Sequence, residues 1–165
     1  MQEAIVYRGP MTRADGDAAS ISGPGPSARA FCLRILEAGD LAAKLAPPVD
    51  AEGRGLGLDP WGPPVTIDRP ARDPGLQMRS GGDKLPRPGE LRSRESRRLC
   101  LARFAHHELM AVEYFAWALL RWPSLPRALR RGLLAALADE QRHCRLYLDR
   151  LAAEGLRVLF VDACR

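Results

Sequence analysis

From residue 90 onward, apolar side chains recur every three or four positions, the spacing of helices that bury one face. The stretch "LRSRESRRLCLARFAHHELMAVEYFAWALLRW" predicts one long helix, capped by Ser93 or Ser96. "WPSLP" then turns the chain, with Ser124 as N-cap and Pro126 accommodated in the first turn. A second helix is expected from about Leu125 to Glu154, where Gly155 can end it in the left-handed conformation. Two long helices joined by so short a turn must run antiparallel, as an αα-hairpin.

Upstream the pattern is weaker. "SARAFCLRILEAGDLAAKLAPP" has Ser27 as a cap and Phe31, Ile35 and Leu36 at helical spacing; Gly39 is expected to break the helix, Asp40 to start another turn and Pro47-Pro48 to stop it. Between 46 and 89 about two residues in five are Pro or Gly, so that segment is either a linker or an extended strap. Trp61, Val65 and Ile67 favour the strap, because a free linker gains nothing by exposing a tryptophan. The expected organisation is an all-α fold. It comprises a flexible arm (1–27), a short helical segment (28–46), the strap or linker (47–89), a hairpin (90–157) and a short tail (158–165).

The chemistry enters through polar residues that fall on the apolar stripes. With an advance of about 100° per residue and Leu101 set at zero, Phe104, Ala105, Ala111, Val112, Phe115, Ala116 and Leu119 span about 280° to about 60°, and Glu108 falls inside, at about 340°. Glu113 and His106 lie off the edge, and His107 sits on another side near Tyr114. On the second helix, Leu129, Leu133, Ala136, Leu137, Cys144, Tyr147 and Leu151 define the stripe. Glu140 lies near its centre and His143 at its margin. Each helix is thus expected to carry one glutamate in its buried stripe, and no Lys or Arg shares either one.

A buried carboxylate without a partner costs several kcal/mol or takes up a proton, so a cation from solution is the natural compensation. Glu140 and His143 stand on adjacent turns of one face and Glu108 can reach them from the facing helix. A glutamate on one helix and Glu-x-x-His on the next is the half-site of ferritin-like di-iron and di-manganese carboxylate proteins. Mixed oxygen and nitrogen donors suit iron or manganese. Glu113 is an alternative ligand if the helix is rotated further, His106 and His107 are assigned surface or supporting roles, and Tyr147 is a core residue or a tyrosine supporting the metal ligands.

Composition narrows the class. The 165-residue chain is 46% hydrophobic but only 6% aromatic, and its apolar mass is mostly Leu and Ala, which suits helices. The formal charge of +5 is carried by arginines dispersed along the chain, Lys44 and Lys84 being the only lysines; a nucleic-acid partner is not expected from that dispersal. Cys32, Cys100, Cys144 and Cys164 form no C-x-x-C pair, so they read as reduced thiols. No stretch approaches the length of a membrane span, no apolar signal segment opens the chain, and the expected location is cytoplasmic.

The segments "ILEAGDLAAKLAPP" and "FAHHELMAVEYFAWALLRWPSLPRALRRGLLAALADEQRHCRLYLDRLAAEG", separated by a Pro-rich stretch, resemble a mainly bacterial, uncharacterised family of ferritin-like proteins classed as a domain of unknown function. The resemblance covers about residues 28 to 157 and implies that Glu108, Glu140 and His143 match the first glutamate and first Glu-x-x-His of a di-metal centre. It also implies a distant likeness to ferritin-like tRNA hydroxylases, without a substrate. Family members continue with a second helical pair bearing a second Glu-x-x-His. This chain carries no second copy of that motif, which points to a truncated or frameshifted product or a fragment. The expectation is an oxidoreductase or oxygenase using iron or manganese, as a single ion or a dinuclear centre, on a small-molecule substrate. It is either a homodimer whose copies complete each other or a hairpin missing its C-terminal pair. The alternatives are a non-catalytic association module or remnant and, less favoured, a tRNA-modifying hydroxylase.

Overall fold

The computed structural model describes residues 27–58, 61–77 and 85–155. The expected arm, the tail and parts of the Pro/Gly-rich segment (59–60 and 78–84) lie outside the described residues. Four α-helices follow in order, α1 (Ala28–Glu37), α2 (Leu41–Leu45), α3 (Arg94–Arg121) and α4 (Arg127–Ala153), with short 3-10 turns at Pro74–Leu76 and Pro88–Arg92. The described residues contain only two isolated β-bridges, Ser27 to Gly57 and Val49 to Gly55, and otherwise the architecture is all-α.

Capping chemistry sets most helix starts. The Ser27 hydroxyl accepts from the Ala30 amide at 3.2 Å, Asp40 Oδ1 from the Ala43 amide at 2.8 Å, and Ser93 Oγ from the Ser96 amide at 3.4 Å. The start of α4 differs from the expectation of a Ser124 cap: Pro126 is the N-cap and no side chain caps it. Its fixed φ, here −50°, already suits helix entry without a capping oxygen. Gly155, at φ 79°, closes the hairpin as its sequence position suggests. Gly39 serves a purpose beyond breaking α1. A Cβ there would stand 2.2 Å from Asp73 Oδ1, because the chain returns at Asp73 and donates its amide to the Gly39 carbonyl at 2.9 Å.

Helices α3 and α4 form an antiparallel pair, with Ala105 opposite Cys144 and Arg94 opposite Glu154. Helix α1 lies across the turn end of the pair, burying Ala28, Phe31, Cys32, Ile35 and Leu36 against Val112, Ala116, Leu119, Leu120, Leu134 and Leu137. The described part of the Pro/Gly-rich segment packs on these helices. Trp61, only 4% exposed, enters the core, and backbone amides of Val65 and Ala71 donate to Leu120 O at 3.0 Å and Leu36 O at 2.7 Å. Bonding of this kind satisfies backbone groups that a Pro/Gly-rich chain cannot satisfy by itself.

This covering layer corrects the stripe expected on α3. Apart from Ala118, the buried positions are Ala102, Ala105, Leu109, Val112, Glu113, Ala116, Leu119 and Leu120, a face rotated by about 70° from the apolar arc of the sequence. Phe104, expected inside, is 41% exposed. Helix α4 shows a similar displacement. It buries Leu134, Leu137, Gln141, Cys144 and Leu151, and leaves Leu129 at 48% exposure. The physical reason is that α3 is covered on two sides, by α4 and by α1, α2 and the returning chain, so burial follows both contacts and not the apolar arc alone. Glu108 and Glu140 therefore stand at the margin of the helical seam, partly buried, instead of at its centre.

Candidate metal centre

Glu108 projects from the middle of α3, and Glu140 and His143 from the facing turns of α4. Each offers one ligand atom, and the three atoms lie within 4.8 Å of one another. His143 Nδ1 stands 3.2 Å from Glu140 Oε2 and 4.0 Å from Glu108 Oε2. The i, i+3 spacing on α4 makes this possible, because residues three apart lie side by side on a helix surface. Side-chain exposures of 17% for Glu108, 24% for Glu140 and 47% for His143 describe a site walled by two helices and open on one side.

The two carboxylates pull each other's titration in opposite directions. Burial, followed by the hydrogen bond and charge of Glu140, pushes the Glu108 carboxyl up to about 7. Glu140 moves down, chiefly because Glu108 donates to it and secondarily because of His143. Two carboxylates this close cannot both ionise cheaply without a cation, so the proton belongs to the pair. The charges acting on Glu108 are those of Glu140 and His143, with no ammonium or guanidinium among them.

The donor set fits a transition-metal ion. For bonds of about 2 Å, ligand atoms on one ion are at most about 4 Å apart, so the observed cluster needs only a small side-chain adjustment. Two oxygens and one imidazole nitrogen suit iron or manganese better than thiolate-seeking ions. Beside the site, Tyr147 is half-buried and its ring lies 5.6 Å from that of Phe104, one helical turn from the ligands. Cys144, adjacent to His143 in sequence, turns inward and donates to the Ala105 carbonyl at 3.2 Å. Burial, reinforced by the Glu108 charge, pushes its thiol up to about 12, so it stays a thiol and not a thiolate ligand.

Glu113 belongs elsewhere, which corrects its candidacy as an alternative ligand. It is 4% exposed, and its Oε1 accepts from Lys44 Nζ at 3.0 Å and from Arg72 Nε at 3.1 Å, while Oε2 accepts from Arg72 Nη2. Both carboxylate oxygens are engaged, so none is free for a metal. Arg72 also reaches the Leu76 carbonyl at 3.3 Å and His106 Nε2 at 3.2 Å. Burial and the Arg72 charge hold His106 below its ordinary range, so it accepts from the guanidinium as a neutral ring. His107 is exposed on α3 and is not among the clustered ligand residues Glu108, Glu140 and His143.

Lys44, Arg72 and Gln141 were not singled out by sequence reasoning. Lys44 is fully buried, and Gln141 donates at 2.8 Å to both the Lys44 and Ala46 carbonyls, fastening α2 to α4. A faint signal existed for Lys44, one of only two lysines and flanked by Ala and Leu in "LAAKLA". Nothing in the pattern marks Arg72, one arginine among many.

A family described as a protein of unknown function, DUF455, matches residues 38–157. The chain belongs to that family. The matched span begins just before α2 and includes the returning segment, the whole hairpin, and both the Glu108 and Glu113 clusters. No curated protein and no solved structure matches the chain.

Proposed function

We propose that this DUF455 protein is a ferritin-like metal-binding protein whose Glu108, Glu140 and His143 hold iron or manganese, and that it serves as an oxidoreductase or oxygenase toward a small molecule. The observation that carries the reading is the contrast between two glutamates of α3. Glu113 is neutralised by Lys44 and Arg72, whereas the neighbours of Glu108 in its cluster are another carboxylate and a histidine. A divalent cation between the two carboxylates relieves their repulsion. A bound iron or manganese ion would supply one-electron chemistry toward dioxygen or peroxide.

The chain's own residues would do the rest. Glu140 and His143, fixed on adjacent turns of α4, set the spacing of two ligands, and Glu108 closes the set from α3. Phe104 and Tyr147 pack ring against ring within one helical turn of Glu108 and His143. Anaerobic titration of the full chain with Fe(II), followed by elemental analysis, tests the reading: about one ion per chain is expected, lost in Glu140→Ala. Protein that rejects both Fe(II) and Mn(II), with Glu140→Ala unaltered in behaviour, contradicts it.

A second reading, a non-catalytic association module, is favoured by the exposure of Phe104 and Leu129 on the hairpin. It expects self-association or partner binding that is indifferent to metal and to Glu140→Ala.

A further inference from the structure

The turn end of the hairpin concentrates positive charge that is dispersed elsewhere. From Tyr114 to Ala138 the chain has four arginines, Arg121, Arg127, Arg130 and Arg131, and no aspartate, glutamate or lysine, whereas the rest of α4 mixes both signs. The residues from Trp61 to Ile67 that pack at this end are uncharged, and Arg29 of α1 adds a further guanidinium, donating to the Pro63 carbonyl at 2.8 Å. Arg121, Arg127 and Arg131 are exposed. Arg130 instead fastens the turn to the core: it donates to the Pro123 carbonyl at 2.7 Å, and its guanidinium stands 5.7 Å from the Trp61 ring centre.

The same end presents aromatic and aliphatic side chains to water. Tyr114 is 60% and Trp122 45% exposed. Trp117 lies between them, packed inward on the core, stacked on Tyr114 at 6.0 Å and edge-on to Trp122 at 5.2 Å. Leu129 and Pro126 are exposed beside the turn, and Leu125 is half-buried within it. We infer that this end of the hairpin docks on an anionic lipid bilayer. Trp122, Leu125 and Leu129 enter the headgroup layer, Tyr114 lies at its outer edge, and the exposed arginines meet acidic headgroups. Tryptophan and tyrosine favour that depth, because each has an apolar body and a polar edge. Apolar contact and attraction between arginine and acidic lipid reinforce each other in such a surface. No helix of the described residues is long and apolar enough to cross a membrane, so the contact is peripheral.

Single-stranded nucleic acid is the other polyanion with affinity for aromatic and arginine side chains. It needs ring faces open for base stacking. Here Tyr114 and Trp117 are stacked on each other, and the apex carries leucine and proline, which a bilayer takes up and a base does not. The docking surface includes none of Glu108, Glu140 and His143, so it holds whether or not a metal is bound.

Flotation of the full chain with vesicles tests this, using phosphatidylcholine alone and phosphatidylcholine with about one-third phosphatidylglycerol. The protein should float with the anionic vesicles and not with the neutral ones, come off at about 0.5 M salt, and show tryptophan emission quenched by brominated lipid. Two double variants change exposed side chains only, Arg121→Glu with Arg131→Glu and Trp122→Gln with Leu129→Gln. Each should keep the parent circular dichroism and lower the vesicle-bound fraction at least about tenfold. Failure to float with anionic vesicles, equal flotation with neutral ones, or flotation unchanged in either double variant overturns the inference. Tighter binding of a single-stranded oligouridylate, lost in the same variants, overturns it in favour of a nucleic-acid surface. A doubling of mass without vesicles, abolished by Trp122→Gln with Leu129→Gln, overturns it in favour of an interface between copies.

Discussion

Glu113→Ala would strip the counter-charge from a lysine that has no access to water. Lys44 is fully buried, and its ammonium has two recorded partners, Glu113 Oε1 at 3.0 Å and the Ile35 carbonyl at 2.8 Å. Burial already lowers its pKa, with Glu113 opposing that effect. Removing one partner of a buried ion pair costs about 3–5 kcal/mol. A second route to the magnitude sets a ceiling, because the lysine can escape by losing its proton. Neutralising an ammonium of ordinary pKa at pH 7 costs about 4.6 kcal/mol, at about 1.4 kcal/mol per pH unit. The two estimates agree, and a loss of about 4 kcal/mol is a large part of the roughly 5–15 kcal/mol that holds a domain folded.

The pH dependence identifies the cause. In the variant, folded Lys44 is neutral and the unfolded lysine is charged, so the unfolded state binds more protons and stability rises with pH. Urea unfolding followed by circular dichroism at pH 7 and pH 9 should show the deficit relative to the parent shrinking by about 2–3 kcal/mol at the higher pH. Lys44→Met and Arg72→Met combined with Glu113→Leu, which removes all three charges of the network, should recover most of the loss. A single variant less than about 1 kcal/mol weaker than the parent, or a deficit that ignores pH, would refute the assignment of Glu113 as the buried counter-charge of Lys44.

Other expectations concern the metal site, the covering segment and the thiols. Because the Glu108 carboxyl is raised to about 7 and the His143 ring must be neutral to coordinate, metal must displace protons at lower pH; Mn(II) affinity should climb at least about tenfold per unit up to neutrality and flatten above it, as read by calorimetry in two buffers of different protonation enthalpy. A flat profile between pH 5.5 and 7 would contradict the shared proton. Glu108→Gln should abolish Mn(II) uptake while leaving the melting temperature of the apo protein unchanged or higher, since the variant no longer sets two carboxylates against each other; a marked drop would mean that Glu108 has a structural partner. Trp61→Ala should cost about 3–5 kcal/mol by emptying a buried site, measurable by chemical unfolding, and a loss under about 1 kcal/mol would mean that the returning segment is not anchored there. Cys32 and Cys144, both buried and pushed up to about 12, should resist a thiol reagent in native protein and react on unfolding, and rapid native labelling of either would contradict their burial.

The long helices, their antiparallel pairing and the closing Gly155 were legible because each depends on local rules: a repeat every three or four residues, a turn too short for anything else, and a cap. The juxtaposition of Glu108, Glu140 and His143 was legible for the same reason, being fixed by one i, i+3 relation and one hairpin register. The depth of each residue was not. A wheel drawn from apolar positions assumes one covering surface, and α3 has two, so Glu113 moved into the interior and Phe104 out of it. The Lys44, Arg72 and Glu113 network depends on contacts between residues far apart in sequence, 41 positions for Arg72 and Glu113, that no periodicity records. Pro126 in place of Ser124 at the start of α4 shows the same limit on a small scale, since a preset φ can do the work of a capping oxygen.

The central claim is that Glu108, Glu140 and His143 hold a transition-metal ion. Crystals of the full chain grown with Mn(II), with diffraction collected near the manganese edge, address it most directly. The account predicts an anomalous difference peak bonded to all three side chains and lost in Glu140→Ala. Fully loaded protein whose peak lies elsewhere, or crystals in which the two carboxylates remain hydrogen-bonded to each other with no peak between them, would contradict it.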